Sequence, residues 1–134
     1  MMISTRGRYS LRVLTDLAAH REEGYLPMKD VANRQGISLG YLEKILPVLV
    51  KNGIVEGIQG KGGGYRLRRE PEAYTLGQIL RLTEGSLAPV ACLECGSAPC
   101  DRAGDCPTLP VWTELDRRIN DYLDSVTLAD LVKK

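Results

Sequence analysis

The pattern Val31-Ala32-x-x-x-Gly36-Ile37-x-x-x-x-Leu42-x-x-Ile45 constrains this chain more than any other feature of its sequence. Two helices that cross steeply through a short turn need a small residue where their backbones touch, a glycine in the turn, and branched apolar residues filling the angle. Ala32, Gly36 and Leu42 supply these. The spacing predicts a short helix from Met28 to Arg34 and another from Ser38, a favourable N-cap, to about Asn52. A preceding helix is expected over Arg8 to Glu22, where Leu11, Leu14, Leu17 and Ala18 recur at helical spacing and Gly24 provides a stop. A helical hairpin with no role beyond packing would share this pattern, so the next segment of the chain decides between the two.

From Ile54 to Arg69 the period changes. Tyr65 and Leu67 alternate with Arg66 and Arg68, and Gly60-Lys61-Gly62-Gly63-Gly64 separates two short extended runs, which reads as a β-hairpin. Helix-turn-helix followed at once by a hairpin is the winged-helix order, in which the second helix enters the DNA major groove and the wing reaches phosphates or the adjacent minor groove. On that helix Ser38, Leu39, Tyr41, Glu43 and Lys44 are expected to face solvent and DNA, with Leu42, Ile45 and Leu49 inward. In the wing, Gln59, Lys61, Arg66 and Arg68 are the expected contacts. The run of three glycines is expected to let the tip approach a phosphate backbone with its amides available. Charge agrees with this division: residues 1–69 hold 12 Lys or Arg against 6 acidic residues, and the remainder holds 6 against 11. A basic first half suits a polyanionic partner.

Thr75 and Gln78 form a capping-box pattern ahead of a fourth helix over Leu76 to Glu84. All four cysteines lie beyond it within 15 residues, as Cys92-x-x-Cys95-x4-Cys100-x5-Cys106, in a segment rich in Gly, Pro and Ala. Clustered thiols in a cytosolic chain are more often metal ligands or redox groups than disulfides. Zinc ribbons separate two close cysteine pairs, whereas one such pair exists here, so the spacing favours an iron-sulfur cluster over zinc. Beyond the cysteines, Trp112, Leu115, Ile119, Tyr122 and Val126 are spaced 3, 4, 3 and 4, the narrow seam of a helix that pairs with another. A last short helix is expected after Thr127.

At 134 residues, 43% hydrophobic and 26% charged, the chain is sized and composed for one globular domain, and no apolar run is long enough to span a membrane. The first residues do not resemble a signal peptide, so a cytoplasmic location is expected. The expected fold class is mainly α with a small β-hairpin wing: a winged helix-turn-helix over 1–85, a cysteine-rich cluster-binding loop over 86–107, and a dimerisation helix with a C-terminal helix over 108–134.

Several separate motifs together resemble a known family. Thr5-Arg6-Gly7-Arg8-Tyr9, Gln35-Gly36-Ile37-Ser38-Leu39-x-Tyr41-Leu42-Glu43, Lys51-Asn52-Gly53 and Gly60-x-Gly62-Gly63-Gly64-Tyr65 are similar, in order and spacing, to IscR-type winged-helix regulators of the Rrf2 family. The tail Val126-Thr127-Leu128-x-x-Leu131-Val132 matches as well. The resemblance implies a non-enzymatic transcription regulator of iron-sulfur biogenesis or related iron and redox genes. It also implies a homodimer along the long helix after the cysteines, and wings gripping a double-stranded operator, with Arg6 added to the DNA-contact set. Its three cluster cysteines correspond to Cys92, Cys100 and Cys106, and its operator-reading glutamate to Glu43. A 2Fe-2S cluster is the first expectation, with 4Fe-4S left open. Two-fold symmetry would give a palindromic operator with half-sites about one helical turn apart.

The sequence departs from the family at the fourth ligand. The cluster-sensing branch carries a histidine three residues after the last cysteine, where this chain has Leu109; other relatives use an N-terminal acidic residue, where this chain has Arg8. Cys95 is an addition to the family pattern and becomes the expected fourth ligand, with an oxygen donor from Glu94, Asp101 or Asp105 as the alternative. His20, the single histidine, is expected to be a surface or satisfied core residue. Three other uses of the cysteines stand beside the cluster: a structural zinc, an empty thiol-sensing loop, and a thiol-disulfide oxidoreductase at Cys92-x-x-Cys95, which lacks its usual βαβ setting.

Overall fold

The computed structural model describes residues 3–93 and 104–132. Helix α1 (Thr5–Ala19) starts three residues earlier than its apolar spacing suggests, because Ser4 caps it: the Ser4 hydroxyl accepts from the Gly7 amide at 3.2 Å. It also ends sooner. A single 3-10 turn, Arg21–Glu23, separates Ala19 from Gly24, whose φ of 82° reverses the chain. The N-terminal turn of α1 sits against helix α4 (Leu76–Glu84), where the Glu84 carboxylate accepts from both the amide (3.1 Å) and the hydroxyl (2.6 Å) of Ser4. A Cβ on Gly7 would lie 2.2 Å from that carboxylate, so the glycine permits the approach.

Helix α2 (Met28–Gln35) ends on Gly36 in the left-handed conformation, and Ser38 caps helix α3 (Leu39–Lys51), its hydroxyl accepting from the Tyr41 amide at 3.1 Å. The helix runs through Pro47, which is exposed. Strands β1 (Val55–Ile58) and β2 (Gly64–Leu67) pair antiparallel with Val55 opposite Leu67 and Glu56 opposite Arg66. Leu26 and Tyr65 exchange two backbone hydrogen bonds of 2.9 Å, so the wing is anchored to the segment just before α2.

That anchor corrects the expectation for the three glycines. A Cβ on Gly64 would meet the Leu26 carbonyl oxygen at 2.2 Å, and one on Gly63 the Ile58 carbonyl oxygen at 2.5 Å. The Gly63 amide is already spent on Gly60 O at 2.9 Å. Two of the three glycines therefore serve the chain's own close packing; only around Gly62 is the space open.

The core gathers Val13, Leu14 and Leu17 from α1, Leu42, Ile45 and Leu49 from α3, Ile54 and Val55 from the wing, and Ile79 from α4. Tyr74 is 1% exposed; its hydroxyl donates to Ile54 O and accepts from the Arg69 amide, both at 3.0 Å. Helix α5 (Leu109–Ser125) lies along α4, where Arg81 bonds Asp124 at 2.9 Å and Asn120 at 2.7 Å. Val126 is not part of the helical seam: its extended backbone ends α5, and its carbonyl accepts from the Leu76 amide at 2.9 Å. This turn sends α6 (Leu128–Val132) back onto α1, where Leu128 is fully buried. Segment 108–134 thus contributes to the core of the first unit as well as the long helix.

One buried ionic network joins α1 to α2. The side chain of Asp16 is 1% exposed and accepts from Arg34 (2.7 to 3.2 Å) and from Gln35 Nε2 at 2.9 Å. His20 is satisfied as expected, with Nδ1 3.0 Å from Asp16 O and 3.6 Å from the carboxylate. Burial alone would raise the pKa of Asp16, but the bonds from Arg34 and Gln35 outweigh it and hold it below the ordinary carboxylate value. A depressed carboxylate contributes stability that is present above its unfolded pKa and is lost as the pH falls through its folded one.

Asp16→Asn is therefore expected to destabilise the fold by about 2 kcal/mol near neutral pH, less than for a wholly buried pair because Arg34 is a third exposed. The variant should also lose part of the wild type's decline in stability on acidification. Urea denaturation at neutral pH and at successively lower pH checks both. The backbone crowding gives a second expectation: Gly64→Ala should cost about 2–3 kcal/mol, whereas Gly40→Ala, in open space within α3, should be neutral or slightly stabilising.

Candidate nucleic-acid interface and cysteine segment

Ser38, Leu39, Glu43 and Lys44 are exposed on α3, with Leu39 43% exposed despite its apolar side chain. Tyr41 differs from its neighbours. It is half-buried, with its ring edge-on to Tyr9 of α1 at 5.5 Å, and Arg12 lies 5.3 Å over the Tyr9 ring. The guanidinium of Arg12 in turn bonds the backbone oxygen and side chain of Gln35, at the end of α2. The exposed face of α3 is thereby tied to α1 through an aromatic pair that the apolar spacing does not reveal. Arg6 is exposed in the first turn of α1.

In the wing Gln59 and Lys61 are exposed at the tip, and Arg66 and Arg68 are exposed along β2 and just beyond it. The two arginines have a shared partner. Arg66 Nε donates to Glu56 at 2.8 Å, Arg68 Nε lies 3.9 Å from the other oxygen of the same carboxylate, and the Arg66 guanidinium sits 4.3 Å over the ring of Tyr25. Sequence reasoning missed Glu56 and Tyr25. The first is implied by the register once the turn is fixed, because Glu56 stands opposite Arg66; the second requires the Leu26–Tyr65 bridge that brings Tyr25 to the wing.

Of the cysteines, Cys92 lies in the 3-10 turn Ala91–Leu93 and Cys106 shortly before α5; both are free and half-exposed. Cys106 Sγ is 3.4 Å from Thr108 Oγ1, and hydrogen bonding from Thr108 and the start of α5 lowers the thiol pKa. Cys95 and Cys100, with Glu94 and Asp101, lie outside the described residues. Asp105 is exposed, and Leu109 is the half-exposed first residue of α5. Among the described residues no three potential donors converge on a metal position.

Helix α5 buries no residue fully. Asn120 and Asp124 face α4, while Val111, Leu115 and Tyr122 are 57%, 41% and 67% exposed, and Trp112 and Ile119 are half-buried. Val111 extends the apolar seam by one position beyond those read from spacing. Around the seam Glu114 bonds Arg117 and Arg118, which hold its carboxyl down to about 2. Among the described residues, no helix is long and apolar enough to cross a membrane.

A family model described as an iron-dependent transcriptional regulator, Rrf2, matches residues 3–134. The HTH-type transcriptional regulator IscR of Erwinia tasmaniensis is 38% identical over 132 residues, covering 98% of this chain and 79% of the relative. IscR of Yersinia pseudotuberculosis is 36% identical with the same coverage. Among solved structures, CymR of B. subtilis, described as its global cysteine regulator, superposes with a TM-score of 0.81 at 37% identity over 99% of this chain and 97% of that one. IscR of T. potens does so at 0.78 and 37% identity, over 99% and 87%. The resemblance and the winged-helix fold read from the sequence are borne out. IscR of T. potens and the global cysteine regulator CymR of B. subtilis are thus equally identical to this chain, at 37%. Matched along nearly its whole length, the chain belongs to the Rrf2 family of DNA-binding transcription regulators, which are not enzymes.

Proposed function

We propose that this protein is a homodimeric regulator that binds a double-stranded operator and responds to an iron-sulfur cluster held by its own cysteines. The observation that carries the reading is the position of four thiols within 15 residues, between a winged helix and a helix whose apolar residues Val111, Leu115 and Tyr122 are exposed among the described residues. In this reading residues 1–85 read DNA, 86–107 hold the cluster, and 108–134 supply the dimer helix and close the core with α6. Ser38, Leu39, Glu43 and Lys44 meet base edges and phosphates from α3, with Tyr41 braced against Tyr9 beside them. Arg6, Gln59, Lys61, Arg66 and Arg68 meet the backbone or the minor groove.

The donor set fits the group. Cys92 and Cys106 are accessible free thiols, and the lowered thiol of Cys106 favours the thiolate that ligation requires. Leu109 supplies no donor, so Cys95 joins Cys92, Cys100 and Cys106 as the fourth ligand. A bound cluster, with 2Fe-2S preferred over 4Fe-4S, would supply a group whose presence depends on iron, sulfide and oxidant. The chain's part is to hold thiolates just before α5, so that changes at the segment bear on the helix that pairs the two protomers.

The equal likeness to CymR favours a second reading, in which the same thiols respond to oxidation without a cluster. Anaerobic purification with iron and acid-labile sulfide analysis separates the two. Iron and sulfide are expected with the visible absorption of a cluster, and Cys95→Ser should lower occupancy about as much as Cys100→Ser. A chain that binds zinc or no metal would overturn the cluster reading, and an unaltered cluster in Cys95→Ser would remove Cys95 from the ligand set.

The dimer has its own test. Leu115→Glu combined with Tyr122→Glu places two charges on exposed positions of α5 and should leave the monomer fold intact, yet convert a dimer to monomers in sedimentation at micromolar concentration. Full dimerisation of that variant would move the interface elsewhere.

A further inference from the structure

The wing presents two arginines and one carboxylate in a single cluster. Glu56 hydrogen-bonds Arg66 and lies within ion-pair distance of Arg68, and all three side chains are more than a third exposed. The ring of Tyr25 holds the Arg66 guanidinium from another side. The geometry points to Glu56 as a brake on DNA binding, an internal counter-ion that offsets the charge the wing arginines offer to phosphate. The inference rests on the proposed role of Arg66 and Arg68 in meeting DNA.

Affinity for a polyanion depends on how many cations displace the counter-ions condensed on it. Glu56 engages Arg66 through Nε alone and lies 3.9 Å from Arg68, so it leaves other guanidinium donors free but offsets their charge, and the carboxylate stays beside the DNA as a like charge. Glu56 therefore subtracts from the wing's contribution. The subtraction falls on sequence-independent attraction, whereas base edges are read elsewhere, by the exposed face of α3. It therefore weakens operator and non-specific binding alike and leaves discrimination to the contacts of α3. The Tyr25 ring also holds Arg66, so replacing the Glu56 carboxylate by an amide removes the charge while the ring contact remains.

A cycle on the full-length chain tests this. Glu56→Gln, the pair Arg66→Ala with Arg68→Ala, and the triple variant are each titrated by fluorescence anisotropy. The probe is a random-sequence duplex several helical turns long, at one moderate salt concentration, with circular dichroism to establish that each variant is folded. Glu56→Gln is expected to tighten binding roughly threefold or more, the arginine pair to weaken it, and the Glu56→Gln gain to vanish in the triple variant. A gain that persists without the arginines would show plain repulsion of DNA by Glu56 and overturn the brake. With the arginine pair still impaired, weaker binding by Glu56→Gln would show that Glu56 positions Arg66 for DNA, and unchanged binding that it has no net effect; in either case the brake fails and the function stands. If the arginine pair binds as the wild type does, the wing contacts themselves are wrong, and the brake falls with them.

Discussion

The orientation of the recognition helix hangs on one buried carboxylate. Asp16 lies in the middle of the core-facing side of α1, where an ion without partners would be too costly to keep charged. It stays ionised because Arg34 and Gln35 reach it from the last turn of α2. Those residues immediately precede Gly36, whose left-handed backbone sets the angle at which α3 leaves. The hydrophobic core fixes how closely α1, α2 and α3 pack, but apolar contact is not directional. The Asp16 network is directional, and with the Arg12–Gln35 bond it pins the end of α2 from two sides.

The second half of the chain is organised around α4. Its N-terminal turn receives the backbone of Val126, its middle holds α5 through Arg81, and its last residue caps the start of α1 through Ser4. Gly7 and Gly77 mark two contacts of α4 with its neighbours where a side chain would crowd: a Cβ on Gly77 would lie 2.1 Å from the Asp124 carboxylate. Helix α5 is thus held along its C-terminal half, while the cysteine segment joins its other end.

Much of this architecture was legible in the sequence, and the remainder was hidden for identifiable causes. Apolar spacing located α1 and α5, the helix-turn-helix pattern α2 and α3, and the Thr75–Gln78 capping pattern α4, while Ser38, Thr75 and Gly36 marked ends because capping chemistry is local. The start of α1 escaped the apolar spacing because its first turn is polar and packs through a glycine. Val126 continued the heptad spacing, but its backbone was claimed by Leu76, a partner fifty residues away in sequence that no window sees. The cysteines and the basic wing stand out by residue type alone. Glu56, Tyr25 and the Tyr9–Tyr41 contact did not, since each acquires meaning only from a neighbour brought in by the fold.

The return of α6 to the core bears on how the protein is made. Leu128 is fully buried against residues of α1, and the Tyr74 carbonyl waits for the Leu128 amide. During synthesis the helix-turn-helix and wing leave the ribosome first, but the surface that Leu128 and Ala129 cover stays bare until the cysteine segment and α5 have emerged. A prematurely terminated chain would expose that apolar surface and invite degradation. The fold therefore couples completion of the winged helix's core to the emergence of α6, so a nascent chain that stops within the cysteine segment has no finished core.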